Sequence, residues 1–503
     1  MNWFKNTLII AGLAVAFTAC ESDVTIDDFS QGEADFTSYV AIGNSLTAGY
    51  ISGDVPRSGQ IASYPNIISS SMNVVGGSSS FIQPLFQDEA GLGQGLALGF
   101  GADCVGTVGL AVVPAGLAPN PTVDGTAPFN NMGVPGIRSF EVFIDGYGSL
   151  NPYFGRFQNG PTSNVVGDAL AAQPTFFTVW LGNNDVLGFA TSGGVAGNTP
   201  CVPTATNPCL GSITDPSVVE QSIAGTLQAL TLNGAKGVIA NIPNVTDIPF
   251  FTTVPAQLFP LDEANAANLT GAFTAVAGIV TQNLALGGVP LAQAEAIASQ
   301  YAIEWTEGAN YPIVAVEATQ TNPLGWRQMT AGELLVLTTD TDAVRCQGYG
   351  TMVLTPDVLQ TLGLLAMGGT PTPAEAAAVV AAVSPIADGD TLLADELAAI
   401  QSATSAYNSS IASLANQFGL GVADMNGFFS EVTANSGITF SGATYSPTFV
   451  TGGLFSLDGV HPTSRGYSII ANKFMETINE TYGSNLPMVD PNEFEGLAVP
   501  NTP

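Results

Sequence analysis

Short apolar runs of the kind found in buried strands alternate along the chain with helical patterns. Residues 39–42 and 174–181 are two such runs, and each ends at turn-forming residues. A helical pattern begins at Asp215 and Pro216, where the aspartate suits a cap and the proline suits the first turn. Another strand-like run follows at residues 238–243. Because the order is strand, helix, strand, the chain predicts a parallel sheet with crossover helices.

The same alternation resumes near the C-terminus. Residues 395–418 have apolar side chains along one helical side, residues 421–424 predict a strand, and residues 464–482 predict a final amphipathic helix. Between the two halves, helices are predicted at 264–286, 291–305 and 371–383.

These patterns predict one domain over residues 38–482, preceded by a linker at 20–37 and followed by a tail at 483–503. Two segments interrupt it. Residues 76–128 are rich in Gly and Pro and have little periodicity, and residues 254–395 are predicted to form a cap or subdomain.

The first residues have the character of an export signal. Lys5 precedes an apolar run that is too short to span a bilayer, and small residues lead up to Cys20. The segment is similar to a bacterial lipoprotein signal, which implies removal of residues 1–19 and a lipid anchor on Cys20. The expected location is then the cell envelope, most simply the outer membrane, with an ordinary secretory signal as the alternative.

Charge and histidine content exclude several kinds of function. There are 41 acidic residues against 9 basic ones, a formal net charge of −32, so nucleic acid is not an expected partner. His461 is the one histidine among 503 residues, which excludes multi-histidine metal sites. No metal or cofactor is predicted.

Apart from Cys20, the chain has four cysteines, an even number that suits two disulfides in an exported protein. Cys201 and Cys209 bracket a short loop and are the favoured local pair, which would leave Cys104 to pair with Cys346. Four cysteines allow three connectivities, of which this pairing is the one we predict.

Distinctive residues recur where the predicted strands end. Ser45 follows the first run, Gly136 lies in a glycine-containing turn, and Asn184 follows the run at 174–181. Asp458 and His461 lie three residues apart before the last helix. A single imidazole with a nearby carboxylate is what activation of a hydroxyl nucleophile requires.

Four motifs containing these residues resemble the SGNH hydrolases, also called GDSL esterases and lipases, in the family's own order. They are Gly43-Asn44-Ser45-Leu46, the segment Asn131-Met132-Gly133-Val134-Pro135-Gly136, Gly182-Asn183-Asn184-Asp185, and Asp458-Gly459-Val460-His461-Pro462. Asn44 departs from the aspartate usual in the first motif. The resemblance covers roughly residues 38–250 and 395–482.

The resemblance implies a three-layer α/β/α sandwich with a flavodoxin-like parallel sheet of about five strands. It assigns Ser45 as nucleophile, His461 as base and Asp458 as the acid that orients it. It assigns the oxyanion donors to the Ser45 N–H, the Gly136 N–H and the Asn184 side chain.

The expected activity is therefore hydrolysis of a small-molecule or lipid carboxylic ester through an acyl-enzyme. Two alternatives remain open. The same site could transfer the acyl group to another alcohol, or the protein could be a non-catalytic envelope lipoprotein that binds a ligand.

Overall fold

The structure, a computed structural model, describes residues 29–77 and 80–500. The predicted signal at 1–19 and the lipidation site Cys20 lie outside these residues, so both stay predictions.

Five parallel strands form the central sheet. They are β1 (Tyr39–Gly43), β2 (Asn131–Gly133), β3 (Phe176–Trp180), β4 (Lys236–Ala240) and β5 (Gly421–Ala423). Their order across the sheet is β5-β4-β3-β1-β2, and every neighbouring pair is parallel. The predicted parallel α/β sheet is confirmed, with the reversal of strand order beside β1 that flavodoxin-like folds have.

Helices cover both faces of this sheet, and others lie in the segment 254–395. In chain order the helices are α1 (Ser45–Ala48), α2 (Arg57–Ile61), α3 (Tyr64–Val74), α4 (Pro152–Gly155), α5 (Val165–Ala171), α6 (Asn184–Thr191), α7 (Pro216–Thr231), α8 (Pro249–Thr252), α9 (Glu263–Leu286), α10 (Leu291–Ala298), α11 (Thr341–Gln347), α12 (Pro356–Ala366), α13 (Pro373–Ala381), α14 (Ala394–Phe418), α15 (Met425–Ala434) and α16 (Ser464–Tyr482).

Alternate residues along each strand point to opposite faces, which gives the sheet two separate cores. Val40, Phe177 and Ile239 pack with α5, α6, α7 and α14 on one face. Tyr39 and Trp180 pack with α3 and α16 on the other. Because the strands are buried on both faces, they appear in the sequence as continuous apolar runs.

Short antiparallel pairs lie outside the central sheet. They are Leu85–Phe86 with Val123–Asp124, Leu96–Ala102 with Val108–Pro114, Phe259–Leu261 with Gly308–Asn310, Ile313–Ala315 with Trp326–Gln328, Leu334–Leu335 with Thr391–Leu392, Thr351–Met352 with Val383–Ser384, and Ile438–Phe440 with Ala443–Tyr445. The longest of them, at residues 96–114, was not predicted. Its glycines and exposed valines give neither a clear alternation nor a buried face.

The segment 254–395, called the insertion below, builds its own core around α9. Phe273, Trp305 and Trp326 form aromatic contacts there, and α10, α12 and α13 pack around them. By length and apolarity α9 could also cross a membrane, and no other helix of the described residues meets that test. Within the insertion it packs against α10, α12 and α13, and 33% of its most apolar stretch is buried.

Two predicted helices in the insertion are shorter than expected. The helix predicted at 291–305 ends at Ala298, because Ile303 and Trp305 leave it to bury their side chains against α9. The helix predicted at 371–383 ends at Ala381, because Val383 pairs with Met352 in a short strand.

The favoured disulfide pairing is confirmed. Cys201 bonds to Cys209, and Cys104 bonds to Cys346 across 242 residues of sequence. The second bond joins the hairpin at 96–114 to α11 of the insertion, and an ion pair of 2.6 Å between Arg345 and Asp103 lies beside it.

Both predicted terminal segments contact the core in the part of the chain that the structure describes. Phe36, in the predicted linker, is 1% exposed, and Leu486, in the predicted tail, is 3% exposed. Both lie in the cluster formed with α3 and α16. The division into linker, domain, insertions and tail stays a prediction.

Candidate active site

Ser45 lies at the carboxyl end of β1, where the chain turns directly into α1. The Asn44 side chain caps this helix by accepting the Leu46 N–H at 2.9 Å, and its amide donates to Asn183 Oδ1 at 3.0 Å. A Cβ at Gly43 would lie 2.1 Å from Thr47 Oγ1, so the turn requires glycine there. Asn44, the departure from the family motif, thus ties the serine turn to the segment that follows β3.

The serine turn meets the loop before α16. His461 Nε2 lies 2.8 Å from Ser45 Oγ, and His461 Nδ1 lies 2.9 Å from Asp458 Oδ2. Serine and histidine are 416 residues apart in sequence. The three side chains singled out from the sequence therefore form one continuous hydrogen-bonded series.

Backbone donors hold the Asp458 carboxylate in place. Oδ1 accepts the N–H groups of His461 at 2.8 Å and Val460 at 2.9 Å, while Oδ2 also accepts the Gly53 N–H at 3.0 Å. Burial raises the pKa of Asp458, but His461 and these hydrogen bonds outweigh it and bring the pKa below its ordinary value. The group beside the imidazole is thus kept ionised.

Sequence reasoning missed the residues that support this pair. The ring of Tyr50 lies against the His461 ring, with 4.4 Å between centroids, and its hydroxyl donates to the Gly53 carbonyl. Ser456 Oγ accepts the Ser52 N–H at 2.8 Å, which joins the two loops again. Burial, followed by the charges of Asp458 and Asp54, raises the pKa of Tyr50 to about 12, so this hydroxyl stays a donor. The sequence signal available for Tyr50 and Ser52 was that they follow Ser45 closely along the chain.

The two remaining predicted residues border the same turn. Gly136 has φ +80° and faces open space, and its N–H has no protein acceptor among residues 29–77 and 80–500. Asn184 opens α6, and its amide donates one hydrogen to the Ile137 carbonyl at 2.8 Å, which leaves a second hydrogen on the same nitrogen.

Asp185 anchors the loop that contains Gly136. Its buried carboxylate accepts the Ser139 N–H at 2.8 Å and the Ser139 hydroxyl at 2.9 Å. Burial raises the pKa of Asp185, and the bonds from Ser139 oppose that shift. The turn after β2 is thereby fixed to the first turn of α6.

An apolar cleft opens beside Ser45 and His461. Its walls come from four parts of the chain: α6, the turn after β4, α15 and the loop before α16. The apolar side chains lining it include Leu187, Val245, Ile248, Phe429, Val432 and Phe455. None of these was singled out from the sequence, because isolated apolar residues have no motif.

Comparison with protein-family models places part of the chain in a known family. Residues 355–474 match the GDSL-like Lipase/Acylhydrolase family. The matched range contains Asp458 and His461 and begins inside the insertion, while Ser45 and Asn184 lie before it. No curated protein and no solved structure matches the chain.

The motifs before residue 355 agree with that match. Ser45, Gly136 and Asn184 follow successive strands of one parallel sheet. The matched range contains the remaining two predicted residues, Asp458 and His461. Such a site belongs to a hydrolase or acyltransferase. Residues 355–474 are a GDSL-like lipase/acylhydrolase region, and the motifs before them resemble the same family, also called the SGNH hydrolases.

Proposed function

We propose that the protein is a carboxylic ester hydrolase that works through a Ser45 acyl-enzyme. The hydrogen-bonded series from Ser45 Oγ through the His461 ring to Asp458 carries this proposal. A serine hydroxyl is a weak nucleophile until a base removes its proton, and His461 Nε2 lies within direct reach of that proton.

In the first half of the reaction Ser45 Oγ attacks the ester carbonyl carbon while its proton passes to His461 Nε2. Asp458 holds the ring with Nδ1–H as donor and stabilises the imidazolium. The carbonyl oxygen becomes an oxyanion, for which the Ser45 N–H, the Gly136 N–H and the free Asn184 hydrogen are the proposed donors. The C–O bond to the alcohol then breaks, and the alcohol leaves with the proton from His461.

In the second half a water molecule gives its proton to His461 and attacks the acyl-enzyme. The second tetrahedral intermediate collapses to free acid, and Ser45 recovers its proton. Each cycle consumes one ester and one water, and the chain ends in its starting state.

The lining of the cleft supports an apolar acyl group. Leu187, Phe429 and Val432 offer aliphatic and aromatic surface beside the serine. Burying such surface is worth about 25 cal/mol per Å², so kcat/KM is expected to rise with acyl chain length until the cleft is full.

Hydrolysis of 4-nitrophenyl esters from acetate to dodecanoate tests the proposal. We expect Ser45→Ala to lose at least about 10³-fold in kcat, and a fluorophosphonate probe to label wild type but not this variant. Ser70→Ala, an exposed serine on α3, is the matched control and should keep both activity and labelling. Full activity in Ser45→Ala would contradict the proposal.

Product analysis with added alcohols separates hydrolysis from acyl transfer. Free acid as the main product supports hydrolase action, whereas a new ester as the main product would assign the same site to an acyltransferase.

The proposed location is the cell envelope, with a lipid anchor on Cys20. The two disulfides are consistent with export to an oxidising compartment. Mass spectrometry of the mature N-terminus checks the anchor: we expect a lipidated Cys20 in wild type and a soluble chain from Cys20→Ser.

A further inference from the structure

The cleft contains a carboxylate that the proposed reaction does not use. Asp247 lines it together with Ser45 and His461. Among the described residues of that lining, Asp247 is the one carboxylate, and neither lysine nor arginine is present.

A short hydrogen-bonded turn fixes this side chain. Asp247 ends the 3₁₀ turn Val245–Asp247 that follows β4, and its Oδ1 accepts the Asn244 amide at 2.7 Å. Thr246 Oγ1 donates to Asn244 Oδ1 at 3.0 Å, which orients the amide in turn. The turn packs against α6 and α15, the helices that form the walls of the cleft.

The charge of Asp247 has no counterion in the part of the chain that the structure describes, because none of the ion pairs among residues 29–77 and 80–500 includes it. Burial raises the pKa of Asp247, and the bond from Asn244 opposes that effect. An unneutralised carboxylate in an apolar cleft makes a second negative charge nearby unfavourable.

We infer that Asp247 selects substrates by charge, disfavouring esters whose acyl group ends in an anion and favouring those whose acyl group ends in a cation. This inference rests on the function proposed for the same site. Asp247 acts here as a specificity residue and takes no part in the proton transfers between Ser45 and His461. The chemical class expected is a neutral or cationic acyl ester.

Three 4-nitrophenyl esters of similar length test this. They are the neutral hexanoate, the anionic mono-ester of glutaric acid, and the cationic 4-(trimethylammonio)butanoate. Assays at pH 8 lie well above the ordinary pKa of an aspartate, about 3.9. We compare wild type with Asp247→Asn, which has the same shape and can still accept the bond from Asn244. Glu480→Gln, an exposed residue of α16, removes one negative charge outside the cleft.

In Asp247→Asn we expect kcat/KM for the anionic ester to rise roughly tenfold relative to the neutral one, and the cationic preference to fall by a similar factor. Glu480→Gln should leave both ratios within about twofold of wild type. Unchanged ratios in Asp247→Asn, or equal changes in the two variants, would overturn the inference.

Binding measurements separate this result from the fate of the proposed reaction. The same esters are titrated calorimetrically into Ser45→Ala and into the double variant Ser45→Ala/Asp247→Asn. A charge preference that disappears in the double variant supports the role of Asp247 even if wild type hydrolyses none of the esters. Equal affinities of the three esters for Ser45→Ala would refute it.

Discussion

The central sheet and the insertion are built on different principles. In the sheet, parallel strands end at one edge, so residues far apart in sequence come together there: Ser45 after β1 and Asn184 after β3. In the insertion, strands of two or three residues pair in antiparallel fashion beside a core built on the helix α9, and none of the predicted catalytic or oxyanion-hole residues lies there. The order and direction of the sheet strands bring the candidate site residues together, whereas the insertion mainly forms a second hydrophobic core.

The two regions are nevertheless joined at defined points. The Phe250 N–H donates to the Gly459 carbonyl at 2.9 Å, and the Leu337 N–H donates to the Phe250 carbonyl at 2.7 Å. Phe250, which lies just before the insertion, therefore links Leu337 of the insertion to the loop that contains Asp458. Variants on either side of this junction show how independent the regions are.

The largest expected effect comes from removing the base. His461→Ala should lower kcat roughly 10⁴–10⁶-fold, because the chain has no second imidazole to replace it. Arg345→Ala, which breaks an ion pair of the insertion, should keep wild-type turnover. Ester hydrolysis assays, with circular dichroism to verify folding, check both. Comparable losses of kcat in the two variants would contradict the view that the site depends on the sheet and its loops rather than on the insertion.

The next largest expected effect is the loss of stability when the long disulfide is removed. Removing the Cys104–Cys346 bond by double serine substitution should lower the free energy of unfolding by roughly 4–5 kcal/mol, against roughly 2–3 kcal/mol for Cys201–Cys209, because the closed loop is much longer. Urea unfolding measures both. We expect kcat to stay within twofold of wild type at 25 °C, and a loss of turnover in the folded variant would make the insertion part of the catalytic unit.

A smaller effect concerns Glu396, where α14 leads from the insertion back to the sheet. Burial, then the charges of Asp388, Asp395 and Glu333, raises the pKa of Glu396 from 4.5 to about 7, although the bond from the Leu393 N–H opposes this. A raised folded pKa means that the contribution of Glu396 to stability is fully present below pH 4.5 and is lost as pH rises to about 7.

Glu396→Gln should therefore remove a decline of about 1–2 kcal/mol between pH 4.5 and pH 7. Unfolding free energies at pH 4.5 and pH 8 provide the measurement. Asp458 changes stability with pH in the opposite direction. Its folded pKa is lowered, so its contribution to stability is present above the ordinary pKa range of an aspartate and is lost as pH falls. An unchanged slope in Glu396→Gln would contradict the assignment.

The smallest expected effect comes from removing a tyrosine hydroxyl, either beside the candidate site or in the insertion. Tyr50→Phe keeps the ring against His461 but loses the bond to Gly53, whose N–H holds Asp458. We expect kcat to fall about fivefold with KM unchanged, since one hydrogen bond is worth about 1 kcal/mol. Tyr349→Phe loses an equivalent bond to Asp390 in the insertion and should leave kcat unchanged. Equal kcat values in all three proteins would remove the positioning role of Tyr50.

The contrast also explains what the sequence could predict. Strands buried on both faces give continuous apolar runs, and Ser45 or Asn184 stands out because each follows such a run. The insertion offers no comparable signal, because its strands are too short for alternation and its helix ends depend on contacts with α9.

Within the site the same limit applies to supporting residues. Tyr50, Gly53 and Asp247 act through contacts with segments distant in sequence. Asp247 in particular lies in an ordinary turn after β4, and its place in the lining of the cleft follows from how this turn packs against α6 and α15. Local sequence pattern identifies the proposed reacting residues, whereas the residues proposed to position them or to select substrates are found only from tertiary contacts.

The contact between Ser45 and His461 has a consequence for the timing of synthesis. Its two halves are made 416 residues apart, so a nascent chain holds its nucleophile long before its base exists. Under the proposed mechanism, a polypeptide halted anywhere before residue 461 lacks its base, whatever part of the sheet has already formed. The proposed activity therefore requires synthesis through residue 461.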